Sequence, residues 1–216
     1  MVKKPSRPRG STRVTSKRFG SDDTKLVYQG YSSVWQTEDA RAWEIVEKPN
    51  AVAFLVYHRD RRQVVFVSQY RLPVGHSLPE VPAGHIEERP ADISPAFWAK
   101  KSMAREAKEE LGVTIDPNRF ELISAGGVYS SPGFTTEQLY LAYLEIGDGD
   151  IEDKERTFGV QSEGESIKRF WVNVRELRKQ LELGSFYDLK TLTLIYWFLK
   201  KKYPQIKKQL RREKHV

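Results

Sequence analysis

Residues 105–112 read Arg-Glu-Ala-Lys-Glu-Glu-Leu-Gly, and the interpretation of the fold begins from this octet. Glu106, Glu109 and Glu110 stand at positions i, i+3 and i+4, so a helix places their carboxylates on one face. Like charges at this spacing repel one another unless a positive group lies among them. Three converging carboxylates suit a hard divalent cation such as Mg²⁺, which prefers oxygen ligands. The alternative is an ordinary solvated helix face that ends at Gly112.

The helix that carries these glutamates is predicted from its start and stop signals. Ser94 is a favourable N-cap, and Pro95 suits the first helical position. Gly112 is a favourable C-terminal stop because glycine adopts the left-handed conformation at low cost. The sequence therefore predicts a helix from Pro95 to about Leu111.

The elements around this helix mix strands with helices. Near-continuous apolar runs at Ala51–Tyr57 and Val64–Ser68 predict two strands that are buried on both faces. Arg71–Gly84 is rich in Pro and Gly and predicts a loop. Further strands are predicted near Phe120–Val128, Gln138–Ile146 and Ile167–Val172, and further helices over Val174–Leu181 and Asp188–Lys202. This mixture favours an α/β fold with a mixed sheet between helices.

The net charge of +7 is concentrated at the two ends of the chain. Residues 1–18 contain seven Lys or Arg and no acid, and residues 200–216 contain eight and one Glu. The N-terminal tail is predicted to be disordered and solvating, with nucleic-acid or anionic-lipid contact as the disfavoured alternative. It also faintly resembles an organelle transit peptide.

The composition excludes several classes of protein. The chain has no cysteine, which excludes disulfides and Cys-based zinc sites and favours a reducing compartment such as the cytoplasm. No apolar run reaches the roughly 18 residues needed to span a bilayer, so no membrane segment is expected. Four segments are predicted: a basic tail at 1–24, a small antiparallel β element at 25–50, a main domain at 51–200 and a basic C-terminal tail at 201–216.

The octet resembles the second half of the Nudix box, the metal-binding signature of hydrolases that cut nucleoside diphosphates linked to another group. The resemblance extends from about Lys25 to Lys200 and points to the ADP-ribose pyrophosphatase branch. The matching pieces, in chain order, are Arg41-Ala-Trp43-Glu44, Gln69-Tyr70-Arg71, Glu80-Val-Pro-Ala83-Gly84, Ser131-Pro132-Gly133, Glu163-Gly-Glu165 and Asp188-Leu-Lys190-Thr191. The resemblance implies a Nudix-type α/β/α sandwich, and a homodimer in which the N-terminal β element is exchanged.

The resemblance also implies a metal centre. Glu106 and Glu110 would bind Mg²⁺, with Mn²⁺ as an alternative, and Glu109 would be a ligand or a close catalytic support. The backbone carbonyl oxygen of Ala83 would complete the ligand set. Arg105 would hold the carboxylates through charge-assisted hydrogen bonds, or else form an ordinary ion pair within the helix.

A group that accepts a proton from water is expected in the acidic segment 147–166, which is predicted to be exposed and mobile. Glu165 is the first candidate for this catalytic base and Glu163 the second. The alternative is that both only solvate an acidic loop. Their spacing does not choose between them, because a base is identified by geometry.

Four residues are candidates for substrate binding. Arg71 suits a phosphate, because a guanidinium can form two hydrogen bonds to it. Trp43 matches a tryptophan that stacks on adenine in some relatives, or it packs within a strand. Glu80 would accept hydrogen bonds from ribose hydroxyls or join the metal ligands. Pro132 matches a proline that follows the box in ADP-ribose hydrolases.

The chain departs from the Nudix box in one segment. The box places its glycine fourteen residues before the arginine, whereas Gly84 lies twenty-one residues before Arg105. Pro90 stands where the box has a glutamate. The seven-residue insertion changes the loop beside the expected substrate, so three functions stay open: an ADP-ribose hydrolase, a hydrolase of another nucleotide such as a UDP-sugar, and a non-catalytic nucleotide-binding module.

Overall fold

The computed structural model of the chain describes residues 23–151, 157–159 and 166–213. Glu163 and Glu165, the two candidates for the catalytic base, lie outside these residues. So does the predicted N-terminal tail, except for its last two residues. Among the helices of the described residues, none combines the length and the apolar composition that crossing a membrane requires.

Two sheets are present in the described residues. The smaller one is antiparallel and consists of β1 (Thr24–Gln29), β2 (Ser33–Thr37) and β3 (Glu44–Glu47). The larger one contains β4 (Ala51–His58), β5 (Gln63–Arg71), β6 (His76–Glu80), β7 (Ala83–His85), β8 (Glu121–Leu122), β9 (Val128–Tyr129), β10 (Gln138–Ile146), β11 (Thr157–Phe158) and β12 (Ile167–Asn173). Strands β4 and β10 are parallel and the other pairs are antiparallel. The predictions of a mixed sheet and of a small N-terminal antiparallel element are confirmed.

The principal helices of the described residues pack on the larger sheet. They are α1 (Pro95–Leu111), α2 (Val174–Glu182), α3 (Leu189–Trp197) and α4 (Tyr203–Glu213); a short π-helical segment, Phe198–Lys202, joins α3 to α4. A 3₁₀ turn occupies Pro117–Arg119. The predicted limits of α1 are confirmed: the Ser94 hydroxyl accepts a hydrogen bond from the Phe97 N–H, and Gly112 adopts φ 72°.

The core has two layers, one on each face of β4. All eight residues of this strand are buried, as its apolar sequence predicts. Val52 and Phe54 belong to the cluster that contains Met103 of α1. Ala53 and Leu55 belong to the cluster on the other face, with side chains of α2, α3 and α4. Successive side chains of a strand point to opposite faces, so β4 holds the helix layers of the sandwich together.

The prediction of a loop over Arg71–Gly84 is wrong for most of that segment. Strand β6 pairs with β5, and β7 pairs with β4. Proline lacks the N–H that a central strand needs, but an edge strand tolerates it. Because β6 pairs with β5 alone, Pro79 fits within it.

The prediction that the last helix ends at Lys202 is also wrong. Helical structure continues through α4 to Glu213. Ile206 is buried in the second core cluster, and Leu210 packs against that cluster. Pro204 lies two residues after the π-helical segment, at the point where the hydrogen-bond pattern of the helix changes. An apolar anchor therefore keeps the basic C-terminal segment on the domain.

Candidate active site

The glutamates of α1 meet the backbone of β7. Glu106 and Glu110 are buried, with 6% and 4% exposure, although both are acidic. The Ala83 N–H donates a hydrogen bond to Glu110 Oε2 at 3.1 Å. A Cβ placed on Gly84 would lie 1.8 Å from Glu106 Oε1. These carboxylates therefore lie against the 83–84 backbone, which excludes the solvated-face alternative for both of them.

Arg105 is the positive group among these carboxylates. Its guanidinium contacts Glu106 Oε1 at 2.6 Å and donates a hydrogen bond to Glu109 Oε2 at 2.7 Å. It also donates to the carbonyl oxygen of His85 at 2.9 Å. Burial alone would lower the pKa of Arg105, but the charges of Glu106 and Glu109 outweigh burial and raise this pKa. Arg105 thus reduces the repulsion within the octet and ties α1 to β7.

The residues at this site fit a divalent cation. The donor set of carboxylate and carbonyl oxygens is the one that Mg²⁺ and Mn²⁺ prefer. Buried carboxylates are costly without positive charge nearby, and the absence of a side chain at Gly84 leaves room for the Glu106 carboxylate. Glu106, Glu110 and the Ala83 carbonyl oxygen are the groups that would hold the ion, with Glu109 as a ligand or support.

A second group of possible metal ligands lies at the far end of β4. Within the described residues, the trio whose ligand atoms all lie within 4.8 Å of one another is His58, Asp60 and Asp148. The α1 glutamates do not form such a trio. His58 Nδ1 accepts a hydrogen bond from the Arg61 N–H at 3.4 Å, and Asp148 Oδ1 accepts one from Arg61 Nε at 3.2 Å. Because protein donors already occupy these two ligand atoms, we assign no metal to this trio.

Glu80 forms a buried ionic network beside the face of α1 that carries Glu106 and Glu110. Its carboxylate is 2% exposed and accepts two hydrogen bonds from Arg71, at 2.6 and 2.9 Å. It also accepts one from Lys190, which contacts Asp188 at 2.8 Å. Burial would raise the pKa of Glu80, but Arg71 and Lys190 outweigh it and hold this pKa below the ordinary value. Both Glu80 oxygens are engaged by protein groups, so its binding to ribose or metal stays a prediction.

This network connects α3 to residues 81–84, the segment whose backbone meets the glutamates of α1. The Asp188 carboxylate accepts hydrogen bonds from the N–H and the hydroxyl of Thr191, at 3.0 and 2.6 Å. The Thr191 hydroxyl oxygen in turn accepts one from the Val81 N–H at 2.9 Å. Val81 precedes Ala83 by two residues. The sequence predicts Asp188 as the cap of the last helix, and this is confirmed. The link from Asp188 and Thr191 to Val81 became visible only through these contacts.

Arg71 lies at the border between this network and the glutamates of α1. Its pKa is raised mainly by the hydrogen bond to Glu80, and the charges of Glu110 and Asp188 add to this effect. The guanidinium is thus within electrostatic reach of Glu110. Its side chain is partly exposed, so the face that does not bind Glu80 can meet a ligand.

Trp43 and Pro132 lie on segments that pair with each other. The Val46 N–H donates to the carbonyl oxygen of Phe134 at 2.9 Å, and the Thr136 N–H donates to the carbonyl oxygen of Val46 at 3.1 Å. The small sheet is thereby joined to the loop that contains Pro132. The Trp43 side chain is 54% exposed, which disfavours plain strand packing as its role.

The insertion between β7 and α1 folds back on the helix. The Trp98 indole N–H donates to the carbonyl oxygen of Glu87 at 3.0 Å, and Arg105 Nε lies 3.9 Å from Glu87 Oε1. Pro90 is exposed. The ring of Tyr31, from the small sheet, contacts the ring of His85 at a centroid distance of 5.4 Å. The site is therefore bordered by the insertion and by the N-terminal sheet.

Comparisons with known proteins agree with this geometry. Residues 47–192 match the model of the NUDIX domain family. The chain is 30% identical to an ADP-ribose pyrophosphatase of Bacillus subtilis, over 79% of this chain and 80% of the relative. It is 30% identical to a methanol dehydrogenase activator of Bacillus methanolicus, over 71% and 74%, and 27% identical to a GDP-mannose pyrophosphatase of Cronobacter sakazakii, over 70% and 74%.

The chain belongs to the NUDIX family. Its mixed sheet between helices is the fold that the resemblance implied. The family and the relatives together identify it as a hydrolase that acts on diphosphate bonds.

Proposed function

We propose that the chain hydrolyses the diphosphate linkage of ADP-ribose, or of a related nucleoside diphosphate sugar, in the presence of Mg²⁺. The products from ADP-ribose would be AMP and ribose 5-phosphate. The observation that carries the proposal is the burial of Glu106 and Glu110 against the backbone of Ala83 and Gly84. The relative named ADP-ribose pyrophosphatase supports this substrate, and the relative named GDP-mannose pyrophosphatase supports the wider class.

The chemistry requires that the charge of the diphosphate be neutralised, since that charge repels the attacking water. A divalent cation held by Glu106, Glu110 and the Ala83 carbonyl oxygen would supply Lewis acidity and charge neutralisation. Arg71, oriented by its two hydrogen bonds to Glu80, would bind a phosphate oxygen. Arg105 would keep the carboxylates in position. The exposed Trp43 ring would stack on the base, a contact worth about 1–3 kcal/mol.

A side chain must also accept the proton that water loses on attack. Glu165 remains the first candidate and Glu163 the second, and both precede β12 in the chain. Glu109 is a third acidic candidate, since its carboxylate is partly exposed and accepts a hydrogen bond from Arg105. Catalytic bases often lie on loops that close over the substrate.

The test is a panel of nucleotide substrates with Mg²⁺, followed by phosphatase treatment and measurement of phosphate. We expect ADP-ribose to have the highest kcat/KM, with GDP-mannose and UDP-sugars lower. A preference for either of those sugars would refute the assignment of ADP-ribose as substrate, but it would agree with hydrolysis of a diphosphate linkage. Turnover of no substrate, together with tight nucleotide binding, would instead identify a non-catalytic module.

A homodimer is part of the proposal. Leu26, Val27 and Tyr28 of β1 are consecutive, apolar and exposed. Exposed apolar patches of this kind mark interaction surfaces. In an exchanged dimer, the contacts of the small sheet with Phe134 and His85 would form with the partner chain, which would cover this patch and bring Trp43 to the partner's site. The absence of cysteine supports the cytoplasm as the location.

A further inference from the structure

The C-terminal helix borders a cleft that the diphosphate chemistry does not use. The cleft lies between α2 and α4 and has a volume of about 760 Å³. Its lining is formed by Arg178, Tyr203, Pro204, Lys207, Lys208, Arg211 and Arg212. We call this cleft the basic groove. Lys190 of the buried ionic network and Tyr203 are separated by thirteen residues of mostly helical chain, roughly 20 Å at 1.5 Å per residue, so the groove is distinct from the active site.

The basic groove carries cations without neighbouring acids among the side chains that the structure describes. Of these side chains, no carboxylate lines the groove, and none of its five Arg and Lys residues takes part in a salt bridge. The pairs Lys207/Arg211 and Lys208/Arg212 each stand at i and i+4 on α4, where like charges repel and cost stability. An anionic ligand would relieve this repulsion.

We propose that the basic groove binds the phosphate backbone of a single-stranded nucleic acid. The four cations of α4 form two neighbouring rows along the helix axis, about 6 Å between members of a row. The four cations span about 7.5 Å of the helix axis, five residue steps at 1.5 Å, and they open to solvent, so they can contact neighbouring phosphates along a strand. Arginine and lysine side chains that follow a strand in an open groove are the usual electrostatic basis of such binding.

The geometry of Tyr203 indicates that binding depends on the backbone rather than on base sequence. Its ring lies 5.7 Å from the Arg178 guanidinium and 5.6 Å from the Phe198 ring. The ring is therefore held in packing contacts and forms a wall of the groove. Without a free aromatic platform, the groove offers charge and shape but no readout of the bases.

An anionic membrane surface fits the helix less well. A helix that binds a membrane inserts an apolar face into the lipid. Here the apolar side chains Ile206 and Leu210 are already packed on the core of the domain. Between residues 203 and 212 of α4, the exposed positions other than Pro204 carry Lys, Gln and Arg. The outward face of this part of the helix therefore has no large apolar side chain to insert into lipid.

The test compares two variants of the full-length protein with the same loss of charge. The groove variant is K207Q/K208Q/R211Q/R212Q. The control variant is K25Q/K101Q/K200Q/K201Q, in which all four lysines are exposed and lie outside the groove. Circular dichroism verifies the fold of both. Fluorescence anisotropy then measures binding to short labelled single-stranded RNA and DNA, from about 50 to 200 mM salt.

We expect wild type and control to bind both strands, with an affinity that falls steeply as salt increases. The groove variant should bind at least about tenfold more weakly, and its slope of log K against log salt should decrease by up to about 3, since each phosphate contact on a single strand contributes about 0.7. If both variants lose the same amount of affinity, the effect comes from net charge alone and the proposal is overturned. The absence of oligonucleotide binding would overturn it as well, including a result in which the protein cosediments only with phosphatidylserine vesicles, which are tested in parallel.

Discussion

At the scale of single residues, the candidate site depends on how closely the β7 backbone approaches the carboxylates of α1. Glycine at position 84 leaves space that any side chain would take from Glu106. The hydrogen bond from the Ala83 N–H then fixes Glu110 on the same stretch of backbone. Two neighbouring residues of the loop thus position two of the proposed metal ligands.

Gly84→Ala tests this close approach. The added methyl would lie within 2 Å of both Glu106 Oε1 and Glu106 Cδ, so the carboxylate or the loop must move. We expect kcat/KM to fall by about 100-fold, because small misplacements in an active site have effects of this size. Gly149→Ala is the matched control, since a Cβ there meets nothing within 4 Å. Equal activity of the two variants would contradict the proposed role of Gly84.

Glu106→Gln and Glu110→Gln test the metal assignment. Each variant keeps the size of the side chain but removes its charge, so divalent-cation binding should weaken. We expect turnover to fall by about 100- to 1000-fold, since such ligands contribute several kcal/mol to catalysis. Isothermal titration with Mn²⁺ measures the loss of binding directly. Glu176→Gln, at an exposed position on α2, should retain activity; full activity of either site variant would refute the assignment.

At the scale of secondary-structure elements, the ionic network of Glu80 joins α3 to residues 81–84, whose backbone meets the glutamates of α1. Lys190 links the buried carboxylate of Glu80 to Asp188, which also caps α3. Because Arg71 is oriented by the same carboxylate, the position of the side chain that we propose to bind phosphate depends on a distant helix. This coupling could not be predicted from sequence, as 110 residues separate Lys190 from Glu80.

Lys190→Met tests the network. Removing one partner of a buried ion pair typically costs about 3–5 kcal/mol, so we expect a decrease in the free energy of unfolding near the lower value. Urea denaturation measures it, with Lys200→Met at an exposed position as control. If the variant stays folded, KM should rise more than kcat falls, because Arg71 loses orientation. An unchanged stability and KM would show that the network is unimportant.

A second ionic contact predicts a pH dependence of stability. Asp150 accepts hydrogen bonds from Arg119 and from the Gly147 N–H, and these lower its pKa from 3.8 to about 2. A lowered pKa in the folded state stabilises the protein above the ordinary pKa, and this stabilisation is lost as pH falls toward 2. Asp150→Asn should therefore be less stable than wild type by about 1–2 kcal/mol at pH 7.

The pH series distinguishes this effect from a general structural one. In urea denaturation at several pH values, the difference between wild type and Asp150→Asn should shrink below pH 4 and be small near pH 2. A difference that is constant over the whole range would mean that the charge of Asp150 contributes nothing. Asp92→Asn, at an exposed position, is the control.

At the scale of the whole molecule, the proposed dimer explains the exposed apolar side chains of β1. Light scattering should give a mass of about 50 kDa, twice the 25.0 kDa of the chain. Val27→Asp/Tyr28→Asp should shift this mass to that of the monomer and lower activity, because Trp43 would no longer reach a partner. Leu183→Asp, an exposed apolar position on the α2 layer, should remain dimeric. A monomeric wild-type protein would refute the proposal.

The elements that were predicted correctly are those with local signals. The limits of α1 follow from Ser94, Pro95 and Gly112, and the burial of β4 follows from its uninterrupted apolar run. The elements that were missed depend on partners far away in the chain. Strand β6 forms because it can hydrogen-bond to the edge of β5. Helix α4 is stabilised by the packing of Ile206 and Leu210 on the core of the domain.

The sequence by itself determined the class of the protein, because Glu106, Glu109 and Glu110, the candidate metal ligands, are close together in the chain. Helical periodicity therefore places them on one face. The sequence also determined the family, through motifs that occur in a fixed order. The resemblance also placed the Ala83 backbone beside those glutamates. Only the tertiary structure decided how closely Gly84 approaches Glu106, which side chains hold Arg71, and where the C-terminal cations lie. These features arise from contacts between residues far apart in the chain, and no local pattern of the sequence encodes such distances.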